Sequence, residues 1–460
     1  MPEQHGHRAV VLGGSLAGLL AADALAEVYP EVLVVDRDEL AGVTGPRRGV
    51  PHGRHAHGLV ARGQQTLEKR FPGLLADMKA AGVRPGDFSG DIRWYFNGMR
   101  LSPAQTGLMS VPCTRPVIER IVRSRVQKVG GVRFLEQYDI LGLETTSDAG
   151  RVTGVRVQRH DGGSEPEVLR ADLVIDATGR GSRTPAWLEE LGYSRPDEDK
   201  VKVDLAYTTR HYRVPRDPFG DDIAIIAAAT PSHPRGAFYY RLPGEGNLVE
   251  LSLTGVLGDH PPNDPEGFLE YVRSLPVPEI YESIREAEPV DDPVTFRFPA
   301  SVRRRYERLS RFPEGLLVIG DAVCSFNPVY AQGMAVAAIE SRILAEQLRA
   351  NPVPPAREFF REISRQIDSP WDFAAIADLG YAGVEGRRTA KVRMINAYVS
   401  RLQRAAVHDA SLTNAFMRVA GLIDEPTALL RPGMVLRTLR QSGRRPAQVP
   451  TPAPLEAARD

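Results

Sequence analysis

Gly13, Ser15 and Gly18 are spaced to grip a phosphate. In Ala9-Val10-Val11-Leu12-Gly13-Gly14-Ser15-Leu16-Ala17-Gly18-Leu19-Leu20, an apolar strand pattern runs into a glycine turn and then a helical pattern. A pyrophosphate needs this arrangement. The first glycine permits a tight turn, and the last lets helix and strand approach closely. The helix N-terminus offers free N–H groups and a partial positive charge. The usual spacing is G-x-G-x-x-G. Gly13 and Gly18 fill the outer positions and Ser15 the middle one, where its small side chain fits and its hydroxyl can itself reach a phosphate oxygen. A second apolar run, Glu31-Val32-Leu33-Val34-Val35-Asp36, ends in a carboxylate about twenty residues past the loop, where a ribose-binding acid belongs. Taken singly, the loop also fits a chance turn before a core helix, and Asp36 a solvated strand-end acid. Strand, loop, helix, strand and acid in succession indicate a dinucleotide site.

Further along lie other groups with chemistry to offer. Thr44 to Gly58 is a glycine- and proline-rich loop carrying Arg47, Arg48, His52, Arg54, His55 and His57. Its cations suit phosphate or sugar oxygens, and Arg54 is the favoured contact. His55 and His57 alternate and cannot share a helix face. With no carboxylate or cysteine beside them, no metal site is expected. Thr114-Arg115-Pro116 opens a helix, with Pro116 suited to its first turn and Arg115 at its N-terminal end. Leu173-Val174-Ile175-Asp176 leads into Ala177-Thr178-Gly179-Arg180-Gly181-Ser182-Arg183, a second strand-to-glycine-loop junction. A third is Gly315-Leu316-Leu317-Val318-Ile319-Gly320-Asp321-Ala322, followed by Ser325-Phe326-Asn327-Pro328-Val329-Tyr330-Ala331-Gln332-Gly333. Asp321 can accept hydrogen bonds from a sugar-alcohol chain, or cap a local turn. Gln332-Gly333-Met334 starts a helix whose dipole favours negative charge in the same crevice.

The elements that must position these groups follow from pattern and composition. The chain has 460 residues, enough for two or three domains, with 42% hydrophobic and 25% charged residues, an ordinary globular balance. A formal net charge of zero gives no electrostatic case for nucleic acid or an anionic membrane. Cys113 and Cys324 are the only cysteines and are far apart, which excludes a disulfide framework and metal-ligand spacing and fits a reducing, cytoplasmic setting. Residues 9 to 22 are apolar enough for a signal-peptide core. However, Met1-Pro2-Glu3 is not a basic leader, and the glycines fit the phosphate loop better. No other uncharged run is long enough to span a bilayer.

Leu59 to Ala81 has helical periodicity, broken at Pro72-Gly73. Ile92 to Leu101 places aromatic strand residues around Asn97-Gly98, a strong hairpin signal. Trp94 and Phe96 share one face of it; core or pocket wall both fit, with core the default. Residues 132 to 176 read as short strands, with turns at Ser147 to Gly150 and Asp161-Gly162-Gly163. Residues 201 to 213, 223 to 229, 237 to 242 and 247 to 254 read as a mostly antiparallel sheet, a platform for a substrate, on which lie Tyr207, Tyr212, Tyr239 and Tyr240. A helix follows from Glu266 to Ser274. A long helix spans about Met334 to Arg349. Helices continue to about Gln441, with breaks at Pro370, Gly380 to Gly386 and Pro426. The proline-rich tail, 446 to 460, is expected to be disordered.

The sequence resembles the class A flavoprotein monooxygenases, which share the para-hydroxybenzoate hydroxylase fold. The resemblance covers about residues 8 to 350, more loosely beyond. It rests on Gly13-Gly14-Ser15-Leu16-Ala17-Gly18, Asp36-Arg37, Asp176-Ala177-Thr178-Gly179 and Gly320-Asp321 with Pro328 and Gly333. Gly49 to His57, Thr178 to Ser182 and Asn327-Pro328-Val329-Tyr330 look most like bacterial polyketide epoxidases that prepare polyether precursors. The resemblance implies a noncovalently bound FAD, reduced by NADPH or NADH, whose C4a-hydroperoxide passes one oxygen to the substrate; the cofactor carries this chemistry. It also implies contacts of Asp36 and Arg115 with the ribose and phosphate–ribityl region and of Asp321 with the ribityl chain, and places Pro328 and Gly333 by the isoalloxazine; Arg37 and Met334, next to these, are further candidate cofactor contacts.

The expected fold is α/β: a Rossmann-like FAD-binding domain (1–70, 102–185 and 296–350), an inserted antiparallel-sheet substrate domain (71–101 and 186–295) and a helical C-terminal segment (351–445). The expected partner is a small-molecule substrate, hydrophobic and polyketide-like, epoxidised ahead of hydroxylated. Ser15 and Thr178 depart from the family pattern, and the second bears on nicotinamide binding. Cys324 replaces a histidine common after Gly-Asp-Ala and reads as a small packing residue more readily than as a nucleophile. An aromatic hydroxylase of the same fold and a redox-silent cyclase that uses FAD as scaffold are the rival readings. The paired-tryptophan motif of flavin-dependent halogenases is absent, since the tryptophans are Trp94, Trp187 and Trp371.

Overall fold

In the computed structural model, which describes residues 8–160, 163–244 and 246–443, a five-stranded parallel sheet carries the three glycine junctions. Its strands are β1 (Arg8–Leu12), β2 (Glu31–Asp36), β3 (Val132–Glu136), β4 (Leu173–Asp176) and β5 (Leu316–Val318), in the order β5-β4-β1-β2-β3. Their apolar runs are unbroken because the central strands are covered on both faces; Val10, Val11, Val34, Val174 and Ile175 are all fully buried. Leu12 pairs with Asp176, and Asp176 with Val318. The junctions after β1, β4 and β5 therefore leave the sheet side by side at the same level, and open on one crevice beyond the carboxyl ends.

Helix α1 (Leu16–Leu25) follows the first loop directly, and α2 (Arg115–Val126) and α3 (Gly333–Ala350) pack beside it. Ser341 Oγ donates to the Leu20 carbonyl at 2.8 Å, which ties α3 to α1. Gly13 has φ +98°, a conformation that few other residues accept. At Gly18 a Cβ would lie 1.8 Å from the Gly13 carbonyl oxygen, so this position has room for hydrogen alone.

An eight-stranded sheet forms the second layer. Leu205–Arg213, Leu248–Gly255, Arg235–Arg241 and Ala224–Ala228 are antiparallel neighbours, and Ile92–Phe96 joins Ala224–Ala228 in parallel. The Asn97-Gly98 turn closes the hairpin, with both residues at positive φ, as a tight two-residue hairpin turn requires. Trp94 and Phe96 are half-buried; they pack against a buried apolar cluster and also line a cavity, so they serve as core and as pocket wall at once. The helix at the 266–274 pattern runs Pro265–Arg273, capped by Asp264, whose side chain accepts from Gly267 N.

The predicted break at Pro370 is a correction. Helix α4 runs unbroken over Ala356–Asp378 with Pro370 inside it. An internal proline costs one backbone hydrogen bond and about 3 kcal/mol. The buried face of α4 outweighs that: Phe359, Phe360, Ile363, Ile367, Trp371 and Ala374 are all packed away from water. Helix α5 (Ala390–Ala406) and the helices Ala410–Ala420 and Pro432–Gln441 complete the C-terminal segment, with an additional break at residues 407–409. The Asp161-Gly162 part of a predicted turn and the tail 446–460 lie outside the described residues.

Gly18→Ala is expected to destabilise the protein by about 3 kcal/mol, the upper end for overpacking, because the Gly13 carbonyl is backbone and cannot step aside. A thermal melt unchanged by this substitution would contradict the account of the loop.

Candidate active site

The phosphate loop is braced from α2. Arg115 stands at the first position of that helix and donates from Nη2 to Ser15 Oγ at 2.8 Å. Its Nε donates to Glu119 Oε2 at 3.2 Å. Ser15, at the middle fingerprint position, and Arg115, a hundred residues away, are thus brought together at the N-terminus of α1. Leu16 is buried as the first residue of α1; Ala17 faces the third junction, where its methyl would be 2.8 Å from a Cβ at Gly320.

Asp36 is buried at the end of β2. Gly14 N donates to its Oδ2 at 2.6 Å, and Asp38 N to its Oδ1 at 2.9 Å. Arg47 Nη1 lies 3.5 Å from Asp36 and 3.1 Å from Asp38, while its Nε donates to Glu119 Oε1 at 3.0 Å. Burial pushes the Asp36 carboxyl above its ordinary value despite Arg47 and the two amides. Burial also acts upward on Glu119, but Arg115 and Arg47 outweigh it and hold that carboxyl low. Arg47 and Glu119 are the residues that sequence reasoning missed here. Arg47 stood in the flagged basic loop, but nothing in the sequence marked it as the buried counter-ion of Asp36. Arg37 and Arg54 are exposed, with no hydrogen bond or ion pair among the described residues.

The three histidines of that loop pack inward against the eight-stranded sheet and one another. His55 Nδ1 meets Thr209 Oγ1 at 2.8 Å, which in turn meets Ser252 Oγ at 2.5 Å, so the eight-stranded sheet holds the loop. His57 Nδ1 lies 2.8 Å from the His55 carbonyl, and its ring is 5.5 Å from that of His52. Burial pushes His52 down to about 3 and His55 to about 4, and lowers His57 as well, so all three are neutral near pH 7. No group of three or more metal-ligating side chains occurs among the described residues.

At the second junction, Asp176 is consumed by its own loop. It accepts from Thr178 N and Oγ1 at 2.9 and 2.6 Å, and from Ser182 Oγ and Thr184 Oγ1 at 2.5 Å each. At the third, Asp321 makes no hydrogen bond among the described residues. Burial raises its carboxyl, while Arg115, Arg180 and Arg304 draw it down. Gly333, first in α3, sits against it: a Cβ there would be 3.6 Å from Asp321 Oδ1. Met334 is buried behind Gly333, and Pro328 is exposed at the start of a short 3-10 turn. Gln332, 1% exposed, has no partner for either amide atom among the described residues. Gly320, at φ +66°, donates its N–H to the fully buried Glu340 at 2.6 Å. Burial pushes that carboxyl up to about 8. Cys324 and Cys113 are buried free thiols, raised by burial well away from thiolate character, so Cys324 packs rather than attacks.

A cavity of about 930 Å³ opens beside Pro328, between the eight-stranded sheet and the C-terminal helices. Trp94, Phe96, Tyr207, Phe238 and Tyr240 form its sheet wall. Facing them are Tyr330 and, from α4, Phe373, Ile376 and Asp378. Tyr207 and Phe238 stack with ring centroids 6.4 Å apart.

The FAD binding domain family matches residues 7–351. Protein Rv3254 of Mycobacterium tuberculosis is 32% identical over 436 residues, which cover 92% of this chain and 90% of that protein. Kynurenine 3-monooxygenase of Salinispora arenicola is 28% identical over 413 residues, 83% of this chain and 80% of the relative. The structure of the flavin-dependent brominase Bmp2 superposes with a TM-score of 0.65 at 15% identity over 94% of this chain and 98% of that one, a likeness of fold. The chain belongs to the FAD binding domain family. It is a flavoprotein oxidoreductase. Its crevice fits that cofactor. The glycine turn has no room for side chains, Ser15 and Arg115 meet at a helix N-terminus, Asp321 has a free carboxylate, and the buried Gln332 amide lacks a partner.

Two outcomes follow. Arg115→Ala removes a charged donor beside the loop and is expected to weaken FAD retention about 10- to 100-fold, read by dialysis and flavin fluorescence. Glu340 supplies a pH test. Its carboxyl titrates near 8 when folded and near 4.5 when unfolded. Between those values the folded chain keeps a proton that the unfolded chain has released, so this contribution to stability is lost as pH rises through the window. Glu340→Gln still accepts from Gly320 N. The melting temperature of the variant should therefore gain on the wild type from about pH 5 to about pH 8; parallel curves would contradict the assignment.

Proposed function

We propose that the protein is an NAD(P)H-driven monooxygenase that places one oxygen atom on a large, hydrophobic, polyketide-like substrate, epoxidising an alkene. The carrying observation is the apolar cavity beside Pro328, where the family resemblance sets the reactive ring. Its volume suits a multi-ring or long-chain molecule rather than a single small aromatic acid. When bound, FAD supplies the redox chemistry that activates oxygen. The chain's own residues do the rest. Ser15, Arg115 and the N-terminus of α1 hold the pyrophosphate, Asp321 accepts from the ribityl hydroxyls, and the start of α3 favours negative charge on the reduced ring. The aromatic sheet wall orients the substrate and keeps water out. The free thiols of Cys113 and Cys324 suit a reducing, cytoplasmic setting.

Hydroxylation is the second reading. An alkene needs no base, whereas a phenol or enol does, and the cavity contains one buried carboxylate, Asp378.

Mixing the FAD-loaded protein anaerobically with NADPH or NADH, with polyenes and then phenols present, tests the proposal. Bleaching of the flavin absorbance, and its return when oxygen is admitted with one oxygen added to the substrate, is the expected result. Flavin that stays oxidised under every condition would overturn it and favour the redox-silent cyclase.

A further inference from the structure

We infer that Asp378 is a polar anchor in the substrate cavity, its free Oδ2 accepting a hydrogen bond from a hydroxyl group on an otherwise apolar substrate. This rests on the reading of the cavity as the substrate site.

Asp378 is the last residue of α4 and 1% exposed. It lies outside the stretch that matches the FAD binding domain family, which ends at residue 351. Two donors fix its carboxylate. Asn327 Nδ2 donates to Oδ1 at 2.9 Å, and Tyr330 O–H donates to the same atom at 2.8 Å. Both come from the loop that carries Pro328. Oδ2 has no hydrogen-bond partner among the described residues. A buried carboxylate oxygen left bare costs several kcal/mol, so such a group implies a donor that arrives from elsewhere.

The donor has a defined chemistry. The groups packed against Asp378 are Asn327, Tyr330 and Tyr381, and it forms no ion pair among the described residues. Arg388 donates to the flanking carbonyls of Leu379 and Tyr381, and Arg365 and Lys391 line the same cavity, but none of them pairs with Asp378. Burial pushes its carboxyl up to about 7, against the two hydrogen bonds. It is therefore an acceptor above that pH and a neutral acid below it. Around it the wall is largely apolar, including Phe373, Ile376 and Phe238. Such a site prefers a ligand with an O–H at one point and hydrocarbon elsewhere, because an isostere lacking the hydroxyl would leave Oδ2 unpaired. The C-terminal segment thereby adds a polar contact to a cavity whose aromatic wall comes from the matched stretch.

The test is binding, independent of turnover. The FAD-loaded protein is titrated calorimetrically with 2-naphthol and with its methyl ether, 2-methoxynaphthalene, between about pH 6 and pH 8.5. The two probes share an apolar skeleton and differ by the donor. The expected result is a preference for naphthol of about tenfold at the upper end, a hydrogen bond to a charged group. The preference should fade as pH falls through about 7. Asp378→Asn, whose amide oxygen still accepts from Asn327 and Tyr330, should abolish both the preference and its pH dependence. Tyr330→Phe removes one donor to Oδ1, so it should keep the preference and move its midpoint to higher pH. Equal affinity for both probes, a pH-dependent preference that survives in Asp378→Asn, or no binding of either probe would overturn the inference. NAD(P)H oxidation by the same preparation separates the two claims. Discrimination without flavin reduction leaves Asp378 an anchor in a protein that is not a monooxygenase. Reduction and oxygenation without discrimination remove Asp378 alone.

Discussion

The contact between Gly18 and the Gly13 carbonyl sets the geometry of everything downstream. With hydrogen as the only side chain at position 18, α1 can begin immediately beyond β1 and lie close on the sheet. That places its free N–H groups at the level where β4 and β5 also end. The third junction then touches the first, since Gly320 faces Ala17. Three loops distant in sequence become the wall of one crevice because parallel strands in register must end together.

Charge is arranged around that crevice in a second tier. Asp36 and Glu119 are buried acids, and Arg47 bridges them. Arg115 shares Glu119 with Arg47 and offers Nη2 to Ser15. The guanidinium beside the phosphate loop is held by a carboxylate that is itself neutralised. Such a network is costly to break from one side, because removing one partner strands a buried charge. It is also what keeps Arg115 in place for an anionic ligand.

Much of this was legible in the sequence, for identifiable reasons. The three junctions show as apolar runs ending in glycine, a local signal, and their pairing follows from the rules of parallel sheets. The Asn97-Gly98 hairpin and the helix capped by Asp264 are equally local. What the sequence did not reveal is long-range. Arg47 finds Glu119 72 positions away, and Asp378 meets Asn327 across 51. Nothing in the composition around Asp378 sets it apart from a solvated helix-end acid. Pro370 misled for a related reason: its penalty is local, whereas the burial that outweighs it belongs to tertiary packing. Trp94 and Phe96 were ambiguous because a pocket wall and a core wall share the same alternation.

The central claim is that these loops form a single cofactor crevice opening on the apolar cavity. A crystal structure of the FAD-loaded protein tests it most directly. The account predicts the pyrophosphate against Ser15 and Arg115, the ribityl chain on Asp321, and the ring between the start of α3 and the cavity. A ring turned away from Pro328 and the cavity, or a pyrophosphate that leaves Arg115 untouched, would contradict it.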